Sequence, residues 1–249
     1  MDVRTIRGLW SPELRNRRTV DVYLPAAYAE SRRRYPVVYM QDGQNLADPA
    51  TAFAGTWHLP AALDALAADG LEVIIVGIHN TGPGRLTEYG PFPDPRHGGG
   101  RGDAYLRFVA GTLKPRIDRS FRTRVRREST FIAGSSMGGL IALYALFGGP
   151  SAFGGAAALS PSLWFGGRRM LALAARSRPP RGPLYLDVGT AEGAVTVQDA
   201  RRLRDLLLGK GVEPDRLMYV EREGATHDEA AWGARLPGAL RHLLKRDGA

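Results

Sequence analysis

The chain has 249 residues, with 34 Lys and Arg against 25 Asp and Glu, a formal charge of +9. Apolar residues make up 44% and Cys is absent, which suits a folded core and excludes disulfide frameworks, thiolate zinc sites and cysteine nucleophiles. All but three of the basic residues (Lys114, Lys210, Lys245) are Arg, spread along the chain with small clusters at Arg32–Arg34 and Arg122–Arg127, so the charge reads as a solvated surface and no nucleic-acid partner is expected.

In chain order, MDVRTIRGLW has no apolar h-region, so no signal peptide is read and a cytoplasmic location is expected. Arg18–Leu24 alternates with period two and stops at Pro25, the mark of a strand. Tyr35–Met40 and Leu71–Ile78 are nearly continuous apolar runs, and Leu59–Ala68 has helical spacing. Asn80–Gly102, rich in Gly and Pro, reads as a long functional loop or lid, and Asp103–Ile117 as an amphipathic helix. Short strands follow at Thr130–Ala133, Gly155–Leu159, Leu184–Val188 and Leu217–Glu221. The helices between and after them are Leu140–Phe147, Arg168–Ala175, Val197–Leu208 and Asp228–Leu244. Ser129–Gly167 carries no charged side chain, but its longest apolar stretch, Leu140–Phe147, is far below the ~20 residues of a membrane span. The expectation is no membrane partner and one α/β domain over residues 1–249, with a mostly parallel sheet covered on both faces.

Gly134-Ser135-Ser136-Met137-Gly138 fits G-x-S-x-G between an apolar strand and an apolar helix. Such a turn lifts the Ser136 hydroxyl above the sheet and leaves the Met137 N–H free for an oxyanion. A serine nucleophile needs a base that follows it in this chain order. Of five His, His58, His79 and His97 precede Ser136, and His242 lies inside the last helix. His227, between the last strand and the last helix, is the candidate base. No Asp or Glu occurs from Met137 to Leu186, so the candidate acids are Asp187 and Glu192. Glu192 lies past the turn at the strand end and is favoured; Asp187 sits within the strand. The Asp42-Gly43-Gln44-Asn45 loop offers the Gln44 N–H as a second oxyanion donor.

The segments VDVYLP, VVYMQDGQN, VGIHN, RLTEYGP, IAGSSMGGL, ALSPSLW, LDVGTAEG and GATHDEAAW together resemble the putative-esterase family of α/β-hydrolases, which includes esterase D, enterochelin esterases, feruloyl and acetyl esterases and mycolyltransferases. The resemblance implies an α/β-hydrolase fold, Ser136 as nucleophile, His227 as base and an acid in GTAEG. It also implies that Arg85, Glu88, Tyr89 and Trp164 lie around the active-site mouth, with Arg85, Tyr89 and Trp164 as substrate-binding residues; Phe92, on the same long loop as Arg85 and Tyr89, is expected to border that cleft too. An Arg85–Glu88 pair fixing that loop is the structural alternative. The expected activity is hydrolysis of a small-molecule carboxylic ester (short-chain, aromatic, carbohydrate or siderophore), without cofactor or metal. Acyl transfer from the same acyl-enzyme, or a non-catalytic binder, are the competing readings. Oligomeric state is not legible.

Overall fold

The computed structural model describes residues 2–245. The strands are β1 (Asp2–Ser11), β2 (Asn16–Leu24), β3 (Val37–Gln41), β4 (Ile74–Ile78), a two-residue ribbon β5 (Pro93–Asp94) and β6 (Gly98–Gly99), β7 (Thr130–Ser135), β8 (Gly155–Leu159), β9 (Leu184–Gly189) and β10 (Leu217–Arg222). Eight of them form one sheet in the order β1-β2-β4-β3-β7-β8-β9-β10. From β4 to β10 every neighbour is parallel, while β2 runs antiparallel to both β1 and β4. The helices are α1 (Leu59–Ala68), α2 (Arg85–Tyr89), α3 (Gly102–Arg107), α4 (Lys114–Ser120), α5 (Met137–Phe147), α6 (Phe165–Arg176), α7 (Ala194–Gly209) and α8 (Glu229–Leu244). This is the α/β-hydrolase arrangement that the sequence predicts.

Period-two alternation divides the core into two layers. Val37, Tyr39, Ile132, Ala156, Leu184 and Leu186 point to one face, against α3, α4, α5, α6 and α7. Val38, Met40, Phe131, Ala157, Leu159 and Tyr185 point to the other, against α1 and α8. Both faces of the central strands are dry, which is why these strands read as apolar runs rather than alternating ones.

Three elements differ from the sequence reading. β1 has no counterpart there, because its residues are mostly exposed and carry no apolar rhythm; its charges suit an edge strand that must not recruit another. The expected helix Asp103–Ile117 is α3 and α4 joined by a π-helical stretch, Phe108–Leu113. Pro115 has no N–H to give to Gly111, and its ring crowds that carbonyl, so the preceding turn widens. α6 agrees with its expected bounds: Gly166, Gly167 and Arg168 have positive φ, and the regular helix begins only after them, within a residue of the expected start at Arg168. The Asn80–Gly102 segment is not a free lid. It holds α2 and the β5–β6 ribbon, and buried Glu88 ties it to β2 by accepting from Arg18 Nη2 at 2.7 Å and Asn16 Nδ2 at 2.6 Å. The Arg85–Glu88 pair is therefore not formed; Glu88 serves β2 instead.

The loop after β3 lies directly on β4. A Cβ at Gly43 would stand 2.4 Å from the Gly77 carbonyl carbon and 2.6 Å from its oxygen, and backbone on both sides leaves nothing to yield. Gly43→Ala is expected to cost about 1–3 kcal/mol as overpacking. That corresponds to about 2–12 °C in Tm for a domain of this size. Thermal unfolding checks it, and an unchanged Tm would mean that the loop is not seated on β4.

Candidate active site

The polar residues of interest gather where the parallel strands end. Ser136 links β7 directly to α5 with φ 55° and ψ −121°, a conformation that costs on the order of 1–3 kcal/mol for a non-glycine residue. Backbone hydrogen bonds hold it there. Its N–H donates to Leu159 O at 3.0 Å, and its carbonyl accepts from Leu140 and Ser162 N–H, each at 3.0 Å. Gly134 is required by space: a Cβ there would lie 2.7 Å from Gly138 C and 2.9 Å from Gln41 Cγ. Ser136 Oγ lies 3.2 Å from Ser162 Oγ. Among the described residues no hydrogen bond joins Ser136 to His227.

Two backbone donors stand near this turn. Met137 opens α5, and Gln44 lies in the single 3-10 turn Gly43–Asn45, so neither N–H has an acceptor within its own first turn. Asp42 (φ 55°) precedes that turn. Its carboxylate accepts from Arg85 Nε at 2.8 Å, Arg85 Nη2 at 2.7 Å and Asn80 Nδ2 at 2.7 Å. Its N–H donates to the Tyr89 hydroxyl at 3.2 Å. The β3 loop is thus clamped from α2.

On the other side, the turn after β9 presents Glu192. Its Oε2 lies 2.7 Å from His227 Nδ1. Its Oε1 accepts from Gly189 N–H at 2.8 Å and from Ser160 Oγ at 2.5 Å. Burial by itself pushes Glu192 up, but the hydrogen bonds from His227, Ser160 and Gly189 outweigh it and hold the carboxyl below its ordinary range. An ionised carboxylate only accepts, so a neutral His227 carries its proton on Nδ1 and presents a lone pair at Nε2. The imidazole packs edge-on against Trp232, ring centres 4.9 Å apart. Asp187 does not reach His227. Its carboxylate accepts from Ser160 N–H and the Tyr185 hydroxyl, each at 3.0 Å, and lies 2.8 Å from Arg235 Nε. Burial, only partly offset by Arg235, raises it to about 6.

A cavity of about 700 Å³ opens at Ser136, walled by Gln44, Asn80, Arg85, Phe53, Glu229 and Trp232 among others. Of the three expected substrate contacts, the structure brings only Arg85 to this wall. Tyr89 is fully buried, wedged edge-on against Tyr105 and beneath the Arg85 guanidinium; its phenol is spent on the Asp42 backbone. Trp164 does not line the cavity. It is 43% exposed and packs edge-on against His97 and Phe165, and Phe92 packs against Tyr144. For Tyr89 the cause is α2, which folds the middle loop down onto the sheet so that this ring becomes core; Trp164, just before α6, stays exposed and packs against the β5–β6 ribbon at His97. The walls missing from the sequence reading are Glu229, Trp232 and Phe53. Glu229 accepts from Asn45 Nδ2 at 3.1 Å, and Phe53 is 91% exposed at the rim. No helix among the described residues is long and apolar enough to cross a membrane. Among them no group of three His, Asp or Glu side chains is arranged to hold a metal ion.

Comparison with known proteins adds the family. Residues 11–243 match the family described as Esterase, "Putative esterase". The uncharacterized protein YbbA of Bacillus subtilis is 24% identical over 255 residues, covering 97% of this chain and 98% of its own. The iron(III) salmochelin esterase of Escherichia coli O6:H1 is 30% identical over 185 residues, 68% of this chain and 42% of that protein. Among solved structures, the BES protein from Bacillus cereus superposes with a TM-score of 0.78 at 22% identity, covering 98% of this chain and 95% of that one; at that identity the likeness speaks for the fold. The match across residues 11–243, on an eight-stranded α/β-hydrolase sheet, makes the chain a member of the putative esterase family and a carboxylic ester hydrolase.

Proposed function

We propose that hydrolysis proceeds through an acyl-enzyme on Ser136, with His227 as the base and Glu192 as the acid that orients it. The observation that carries this reading is the 2.7 Å contact between Glu192 and His227 Nδ1, which leaves Nε2 unengaged by the carboxylate and available as the base. Ser136 Oγ rests against Ser162 in the free protein, and catalytic hydrogen bonds commonly tighten only when substrate is bound. In this reading the Ser136 hydroxyl leaves Ser162 for His227 when the ester binds. Oγ then attacks the ester carbonyl as its proton passes to Nε2. The oxyanion that forms is held by the N–H groups of Met137 and Gln44. The imidazolium, stabilised by Glu192, returns the proton to the leaving alcohol. Water, deprotonated by the same nitrogen, attacks the acyl-enzyme and releases the acid.

Four substitutions test these roles. Ser136→Ala should lower kcat for a p-nitrophenyl ester by on the order of 10⁴–10⁶ with the fold intact, and a fluorophosphonate should add its mass at Ser136. Ser135→Ala should be far milder, and a label or loss at Ser135 would move the nucleophile. Glu192→Gln keeps the shape but presents an amide to His227, so kcat should fall by up to about 10⁴, and by more than in Asp187→Asn.

The Glu192 carboxyl also links stability to pH. Its folded value lies below the ordinary 4.5, so the stability it contributes is present above about pH 4.5 and lost as pH falls through the folded value. The unfolding free-energy gap between wild type and Glu192→Gln should therefore close below about pH 4.5. A gap that persists unchanged at pH 3 would show that the carboxylate is not held in its charged form.

Gln44, Asn80, Arg85 and Glu229 place polar groups around the nucleophile, with Phe53 and Trp232 as the large apolar surfaces. Such walls suit a polar or aromatic ester, consistent with the salmochelin-esterase relative, better than a long alkyl chain. A p-nitrophenyl series should lose kcat/KM beyond about eight carbons, since each exposed methylene forfeits its ~0.8 kcal/mol of burial. A value that keeps rising to palmitate would exclude this class.

A further inference from the structure

Behind Glu192 lies a buried polar cluster that the proposed reaction does not use. Ser160 follows β8 with φ 44°, and its N–H is fixed by the Asp187 carbonyl at 3.1 Å and Asp187 Oδ1 at 3.0 Å. Its hydroxyl has three neighbours: Trp232 Nε1 at 3.1 Å, Arg235 Nη2 at 2.9 Å and Glu192 Oε1 at 2.5 Å. Indole and guanidinium nitrogens only donate. They occupy both lone pairs of the hydroxyl, and its one proton is left for Glu192. Arg235 is buried, with 4% of its side chain exposed. Its Nε lies 2.8 Å from Asp187 Oδ2, a contact of charges rather than an aligned hydrogen bond. Its Nη2 lies 3.7 Å from Glu192 Oε1. One guanidinium therefore stands between two carboxylates, and Asp187 takes up most of its charge.

We propose that Arg235 and Ser160 are positioning residues for the hydrolysis: Arg235, anchored on Asp187, turns the Ser160 hydroxyl onto Glu192 and so fixes the carboxylate that orients His227. Asp187 keeps Arg235 from neutralising Glu192, which leaves that negative charge facing the imidazole. This rests on the triad reading above.

The experiment follows the pH dependence of kcat/KM, whose acid limb reports the base of the free enzyme. Asp187→Asn preserves shape but leaves the Arg235 charge uncompensated beside Glu192. Imidazolium is then less favoured, and the limb should move to lower pH by up to about half a unit, the shift being largest where Asp187 is still ionised, above about pH 6. Adding Arg235→Met removes that charge and should return the limb to its wild-type position. The other charged groups on the surrounding elements, Asp228 capping α8, Glu229 at its start and Glu223 after β10, are the same in every variant. Ser160→Ala should lower kcat roughly 10–100-fold with KM within about twofold. Arg235→Lys should cost less in that background than in wild type, because the two act on one path. A limb that stays in place in folded Asp187→Asn, or additive losses in the Ser160–Arg235 cycle, overturns the proposal. If Asp187→Asn does not fold, the cycle alone decides. Fluorophosphonate labelling of wild type at Ser136, with the loss in Glu192→Gln, tests the triad separately: if these hold while limb or cycle fails, only the positioning role falls.

Discussion

Burial of the central strands on both faces governs where chemistry is possible. β3, β7, β8 and β9 have no wet face, so a polar side chain along most of their length would need a buried partner. Asp187, in β9, has such partners in Arg235, Tyr185 and Ser160. The other polar groups stand where each strand leaves the sheet: Asp42 after β3, Ser136 after β7, Ser160 after β8, Glu192 beyond β9. Because the strands are parallel, those exits lie along one edge. The site is thus a consequence of sheet direction before it is a consequence of any single residue.

Leaving a buried sheet abruptly has a backbone cost. Asp42, Ser136 and Ser160 all have positive φ, each of order 1–3 kcal/mol for a non-glycine residue. Each is held by bonds from neighbouring elements rather than by its own. Arg85 and Tyr89 grip Asp42 from α2, Leu159 and Ser162 grip Ser136, and Asp187 grips Ser160. Neighbouring strand ends hold one another, so a shift at one turn is felt at the next. That coupling is how a strained elbow stays rigid in a cavity open to solvent.

Much of this was legible in the sequence, for a physical reason. Apolar runs with two buried faces announce parallel strands, and α1 and β8 fall on the residues that spacing indicates. Ser136, His227 and Glu192 were reached from local pattern and chain order, and the structure brings Glu192 and His227 into contact. What was illegible depends on contacts between distant segments. Tyr89 is taken for a rim aromatic because nothing local says which way α2 folds, and Trp164 because nothing local says that it turns to His97 and Phe165 instead of the cavity. β1 has no rhythm because it borrows its order from β2. Ser160 and Arg235 left a fainter signal: Asp187 is a charge inside an apolar strand, and Arg235 is a charge on the stripe of α8 that includes Trp232, Leu236 and Ala239. Two misplaced opposite charges late in one chain are a reason to look for a pair, though spacing does not say what else the pair touches.

The Asp187–Arg235 pair is a poor device for stability alone. Taking two charges out of water costs several kcal/mol per ion, and an apolar pair of similar volume often fills such a place as well or better, by about 1–4 kcal/mol. The rise of Asp187 to about 6 is the mark of that cost, since it means the folded chain stabilises the charged carboxylate less well than water does. Sign matters here: a raised carboxyl favours folding below its unfolded value and loses that contribution as pH rises through about 6. At neutral pH the pair therefore stands at some expense to the fold. An apolar replacement has no donor to set the Ser160 proton and no charge to balance between two carboxylates. The cost is intelligible when the geometry of Glu192, rather than the cohesion of the core, is what the pair maintains.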